Sequence, residues 1–249
     1  MQTLDIPAPV TQATEPFDAA AAQPFTFRGR ALRALIFDMD GVIADTQHAH
    51  RDAWLLWARK NGIPLDEETF MRDYFGRSNL DVLPLFFPEH AHDREFILRM
   101  GEDKEEHFLQ RLRAGEIPPL DGFYSVIARA RSRGFGLAVG SSSPRRNVET
   151  VLGHFGVRRL FPVTVSQQDV PISKPAPDIF LSCVAQLGLQ PHECLVFEDS
   201  LHGLEAARKA GCPSVGIATM HTPEELAGHC DLVAPHFEAL LQTEEWQGL

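Results

Sequence analysis

The sequence predicts an α/β fold: a doubly wound parallel sheet with a small all-helical domain inserted after the first strand of that sheet. Three observations carry the prediction. Short apolar runs of strand length recur along the chain, and each stops at a polar residue. Helical stretches alternate with those runs, which is the grammar of βαβ units. Residues 48–117 break the alternation with a pattern that is helical throughout.

Residues 1–30 are rich in Ala, Pro, Gln and Thr without periodicity, and are expected to form a disordered or loosely attached arm. At Ala34 the character changes. Ala34-Leu35-Ile36-Phe37 is continuously apolar and ends in Asp38, as befits a strand buried on both faces of a parallel sheet. The same pattern returns at Gly136-Leu137-Ala138-Val139, ending at Ser141, and at Leu195-Val196-Phe197, ending at Glu198-Asp199. Weaker copies lie at 163–165, 214–217 and 231–233. Helices are expected at 122–133, at 144–154 behind a proline suited to a first turn, at 176–187 and at 200–210. In the insert, Ala53, Trp54 and Trp57 sit at helical spacing and are expected in its core, and a long charged helix is expected near 91–113. The expected division is an arm at 1–30, a core at 31–47 and 118–249, and the helical insert at 48–117.

Composition narrows the function. With 34 acidic against 23 basic residues and a formal charge of −11, the chain has no basic footprint for nucleic acid. No stretch approaches the roughly 20 apolar residues of a membrane helix. The N-terminus has neither a basic start nor an apolar run, so no secretory signal is expected. Cys183, Cys194, Cys212 and Cys230 form no Cys-x-x-Cys pair and are expected as reduced thiols in or near the core. A cytoplasmic monomer acting on a small molecule is the expectation.

The densest chemistry lies in Phe37-Asp38-Met39-Asp40-Gly41-Val42-Ile43-Ala44-Asp45-Thr46. Residues two apart on an extended segment face one side, so Asp38 and Asp40 look into one cavity. Adjacent carboxylates repel, and a hard divalent cation with oxygen ligands relieves them. A calcium loop would need further acidic positions and a terminal Glu at fixed spacing, which are missing. The pairs His48/His50 and His90/His92 have no third ligand nearby and are expected to be ordinary histidines rather than a zinc site.

Three further segments follow in order: Val139-Gly140-Ser141-Ser142-Ser143-Pro144-Arg145, Ser173-Lys174-Pro175-Ala176-Pro177-Asp178, and Phe197-Glu198-Asp199-Ser200 leading into Gly203-Leu204-Glu205-Ala206-Ala207. Together the four segments resemble the haloacid dehalogenase-like hydrolases, in the subgroup whose helical cap follows the first strand of a Rossmann-like core. The resemblance runs from about Leu32 to about Leu241. It implies that Asp38 is the nucleophile that becomes an aspartyl phosphate, and that Asp40 is general acid and base. Ser141 would hold the transferring phosphoryl group and Lys174 would supply fixed positive charge. Mg²⁺ would be bound by Asp38, Asp199 and the backbone carbonyl of Asp40, with Glu198 as a further ligand or an orienter. Substrate contacts are implied for Thr46, His50, Arg77, Lys104, Ser142 and Arg145. The implied partner is a small phosphorylated metabolite, a sugar phosphate above all. Asp40 argues against a dehalogenase, which needs no acid at that position. A hexose-phosphate mutase resembling β-phosphoglucomutase shares all four segments, although Arg145 stands where that enzyme carries a smaller amide. A non-catalytic binding protein would have lost a motif residue, and none is lost.

Overall fold

The computed structural model describes residues 17–75 and 77–246. The chain divides into two compact units, one of Met1–Asp45 with Pro119–Leu249 and one of Thr46–Pro118.

The larger unit is built on a six-stranded parallel sheet. Its strands are β3 (Ala34–Phe37), β4 (Gly136–Gly140), β5 (Val163–Val165), β6 (Cys194–Glu198), β7 (Ser214–Ile217) and β8 (Leu232–Ala234). Their order across the sheet is β5-β4-β3-β6-β7-β8. The first strand of the sheet therefore lies near its middle, with β4 and β5 added on one side and β6 to β8 on the other. Such a reversal opens a crevice at the carboxyl ends of the strands flanking it, here β3 and β6. Register sharpens the point, since Phe37 is level with both Val139 and Phe197. One step on, Asp38 donates its N–H to Phe197 O at 2.9 Å, which brings it level with Glu198.

Every residue of β3, β4 and β6 is buried. Ile36, Ala138, Val196 and Phe180 belong to a core cluster on one face. Phe37 meets Phe197 in a stacked pair at 5.0 Å and Phe123, Phe161 and Phe237 edge-on near 6 Å. All four cysteines are free, and Cys183, Cys194 and Cys212 are buried.

The arm requires a correction. Residues 1–16 lie outside the described part, but 17–30 do not form a loose tail. β1 (Phe25–Phe27) and β2 (Arg30–Leu32) pair as an antiparallel hairpin. Its turn is Arg28-Gly29, both at positive φ, as a tight hairpin of this hand demands. Phe25 and Phe27 share one face by the two-residue period of a strand, and both rings pack on the buried Trp246, at 5.6 and 6.1 Å. Two alternating aromatics outweigh the low-complexity composition around them.

The smaller unit is helical: α1 (Gln47–Lys60), α2 (Glu67–Asp73), α3 (Asn79–Phe86) and α4 (Arg94–Arg113), with a 3-10 turn at Pro88–His90. Trp54, Trp57, Phe70, Val82, Leu83 and Ile97 form its core. The long charged helix starts later than the expected 91 because Asp93 caps it, accepting from Phe96 N at 3.0 Å. No helix among the described residues is long and apolar enough to cross a membrane. The remaining helices are α5 (Phe123–Ser132), α6 (Arg145–His154), α7 (Asp178–Leu187), α8 (Leu201–Ala210), α9 (Pro223–Leu226) and α10 (Phe237–Leu241), all in the larger unit.

Candidate active site

The strand ends of β3, β4 and β6 gather Asp38, Asp40, Ser141, Glu198 and Asp199, and the loop before α7 adds Lys174. The Lys174 ammonium donates to Asp38 Oδ1 and to Glu198 Oε1, both at 2.6 Å, and lies 4.8 Å from the centre of the Phe180 ring. Burial works against its charge, but Asp38 and Glu198 outweigh burial and hold the lysine above its ordinary range. Asp38 is only 6% exposed. Burial pushes its carboxyl up to about 7, with Lys174 pulling down and Glu198 and Asp40 pushing further up. Burial, then Glu198 and Asp38, raise Asp199 well above the usual carboxylate range.

Asp38, Glu198 and Asp199 each offer a carboxylate oxygen within 4.8 Å of the others. Lys174 bonds two of the three acids and leaves Asp199 without a cation, so the ionised cluster has a deficit of positive charge in a buried place. A hard, oxygen-seeking divalent cation fits that donor set. Among the described residues this is the one such grouping of His, Cys, Asp and Glu, and the histidine pairs are not in it. His90 instead stacks on Phe96 at 4.1 Å.

Local backbone holds the acids in place. After Asp38 the chain turns sharply, with Ile43 N and Ala44 N donating to Met39 O and Gly41 N to Ala44 O. Met39, between the two acids, is fully buried. Gly41 has φ +72°, and a Cβ there would overlap the Asp199 carboxylate. Thr219, just past β7, donates to Gly41 O at 2.7 Å and lies 3.2 Å from Asp199 Oδ2. Glu198 Oε2 accepts from the N–H and hydroxyl of Ser200 at 2.7 and 3.0 Å. A side chain at Gly203 would overlap the same carboxylate. With one oxygen on Lys174 and the other on Ser200, Glu198 is oriented at both ends.

Ser141 is buried, and its Oγ accepts from Ser143 N at 3.0 Å. Ser143 Oγ in turn donates to Asp40 Oδ2 at 2.6 Å. Ser142 is half-buried on the same turn. Arg145 opens α6 as an exposed residue, its guanidinium paired with Asp169.

The helical unit brings two expected contacts together. Lys104 on α4 is 2% exposed; its ammonium lies 3.0 Å from His50 Nδ1 and 2.9 Å from Glu105 Oε1. The His50 ring stacks on Phe108. Asn79 Nδ2 donates to Glu105 Oε1 at 2.7 Å. Burial opposes the charge of Glu105, but Lys104 and His50 outweigh it and hold its carboxyl below the ordinary value. Arg77 is exposed between α2 and α3, and Gly76 beside it lies outside the described residues. Thr46, the N-cap of α1, is buried and makes no cap bond; its hydroxyl has no hydrogen-bond partner among the described residues.

Fold and site together define a class, an α/β enzyme with an acidic, lysine-braced centre at the sheet's switch point. The family model for haloacid dehalogenase-like hydrolases matches residues 32–211. The chain is 33% identical to the fructose-1-phosphate phosphatase YqaB of Escherichia coli, over 74% of this chain and 95% of that one. CbbY from Rhodobacter sphaeroides, solved with xylulose-(1,5)bisphosphate, superimposes with a TM-score of 0.76 at 27% identity, covering 88% of this chain and all of that one. β-Phosphoglucomutase from Clostridium difficile does so with a TM-score of 0.72 at 28% identity, covering 87% and 96%. This chain belongs to the haloacid dehalogenase-like hydrolase family, and within it is an enzyme of the phosphatase or phosphoglucomutase kind.

Proposed function

We propose that this protein is a Mg²⁺-dependent hydrolase of a small sugar phosphate, working through an aspartyl phosphate on Asp38. The observation that carries the reading is Asp38 itself, a buried carboxylate at the switch point, gripped by Lys174 and crowded by Glu198 and Asp199. Asp38, Asp199 and the Asp40 carbonyl would hold Mg²⁺, which would supply the positive charge that lets an anionic phosphate approach these acids.

In the first step a carboxylate oxygen of Asp38 attacks phosphorus. The bond from phosphorus to the ester oxygen breaks, and that oxygen takes the proton of the Asp40 carboxyl as it leaves. In the second step water attacks the same phosphorus, its proton passes to Asp40, and the electron pair of the acyl phosphate bond returns to Asp38. Lys174 keeps Asp38 oriented throughout, while the Ser141 hydroxyl and the N–H groups of its turn hold the phosphoryl oxygens. Ser142, Thr46, His50, Arg77 and Lys104 are assigned to the sugar phosphate. Arg145 would join them by exchanging Asp169 for the substrate.

The names of the relatives support a phosphorylated sugar, and the test is a panel of sugar phosphates, phosphoglycolate and nucleotides assayed with Mg²⁺. Phosphate release that is strongest from a sugar phosphate and abolished by chelator is expected. Full turnover in chelator would remove the metal from the reading. The likeness to β-phosphoglucomutase supports a second reading, transfer to a sugar instead of water. Conversion of β-glucose 1-phosphate, primed with a bisphosphate, to glucose 6-phosphate about a hundredfold faster than phosphate release would establish it, a difference of roughly 2.7 kcal/mol in barrier.

A further inference from the structure

We infer that Ser143 is a positioning residue for Asp40, setting the direction from which that carboxyl exchanges its proton; the inference rests on the acid–base reading of Asp40. Its hydroxyl donates to Asp40 Oδ2 at 2.6 Å, the ordinary length of a charge-assisted O–H···O⁻ bond, the stronger kind of hydrogen bond. The torsion of a carboxyl group about its Cβ–Cγ bond is soft and roughly two-fold. A firm bond at one oxygen fixes that torsion, and with it the lone pairs of the whole group.

Ser143 is itself held. Its N–H donates to Ser141 Oγ at 3.0 Å, its carbonyl accepts from Gln167 N at 3.2 Å, and Pro144 follows it. A residue before proline is confined to extended backbone, which leaves χ1 as the main freedom of the side chain. A serine just before a helix is ordinarily spent on capping it. Here the N-cap of α6 is Pro144, without a side-chain cap bond. The Ser143 hydroxyl is directed across to the acid of another strand end, more than a hundred residues away in sequence. The same turn thus serves both halves of the chemistry. Ser141 faces the phosphoryl group, and Ser143 aims the group that protonates the leaving oxygen.

Leaving-group chemistry tests this. A sugar alkoxide is a strong base and must be protonated as it departs, whereas p-nitrophenolate leaves unaided. The parameter kcat/KM reports only the steps up to formation of the aspartyl phosphate. Ser143→Ala should therefore lower kcat/KM about tenfold for the sugar phosphate turned over fastest in the panel, a part of the 10²–10⁴-fold that a positioned acid contributes. For p-nitrophenyl phosphate the loss should stay below about twofold, and this substrate also reports that the variant is folded. Asp40→Asn is the control and should show the same split, more steeply. If Asp40→Asn splits the two substrates and Ser143→Ala lowers both equally, or neither, Ser143 does not position the acid and the reading of Asp40 stands. If Asp40→Asn shows no split, the acid–base reading falls and takes this inference with it.

Discussion

At the scale of single residues, the centre is governed by an imbalance of charge, with three clustered, buried carboxylates and one ammonium that bonds two of them, Asp38 and Glu198. Asp38→Asn keeps the shape and an oxygen that accepts from Lys174 but removes the carboxylate proposed as nucleophile. Turnover is expected to fall by at least about 10⁴-fold, as loss of a nucleophile does elsewhere, with the circular dichroism spectrum unchanged. Substantial residual activity in the purified variant would mean that another group accepts the phosphate. Gly41→Ala is expected to fail differently. It forces a side chain into a left-handed turn and against Asp199, together costing about 2–4 kcal/mol. Both the melting temperature and the affinity for Mn²⁺, followed by electron paramagnetic resonance, should drop. An unchanged affinity would separate the turn from the metal site. Asp38, Asp40, Lys174, Glu198 and Asp199 were legible in the sequence because each interrupts an apolar strand or belongs to a spaced motif. Ser143, Thr219 and Glu105 were not. A polar residue whose partner lies in a distant segment leaves no periodic trace, and only the folded geometry pairs it.

At the scale of elements, strands buried on both faces announce themselves, and β3, β4 and β6 were legible to within a residue or so. The helices α5 to α8 were equally plain, since each lies between two such strands. The hairpin of β1 and β2 was not, because each strand has three residues and sits beside a long biased segment whose composition dominates any window. Its anchoring makes a quantitative prediction. Phe27 is almost wholly buried against Trp246, so Phe27→Ala should cost about 3–5 kcal/mol, as burying and then removing a core aromatic does. Urea unfolding followed by Trp fluorescence measures it. A change below about 0.5 kcal/mol would mean that the hairpin is a loose appendage after all.

At the scale of the whole molecule, the core holds mutually repelling acids, and a cation that binds only the folded state stabilises it. At a hundred times its dissociation constant Mg²⁺ should add about 2.7 kcal/mol. For a unit of this size that is a rise of roughly 5–10 °C in the melting of the core, reversed by chelator. Calorimetry in Mg²⁺ and in chelator checks it, and identical melting in both would show that the carboxylates hold no cation. The helical unit has its own aromatic core and no part of the acidic trio, so its melting is the internal reference.

The place of β3 at the middle of the sheet also fixes a timetable. The strand that leads into Asp38 leaves the ribosome before every other strand of its sheet, yet both of its neighbours are encoded about a hundred residues or more downstream. Between them in time comes Thr46–Pro118, whose aromatic cluster around Trp54, Trp57 and Phe70 is drawn from that segment alone and so closes quickly. During synthesis β3 must wait, apolar and unpaired, while the insert folds. The acids can gather only after β6 has emerged. A nascent chain arrested before residue 194 should therefore protect residues 46–118 from protease while leaving 34–37 open to chaperone binding.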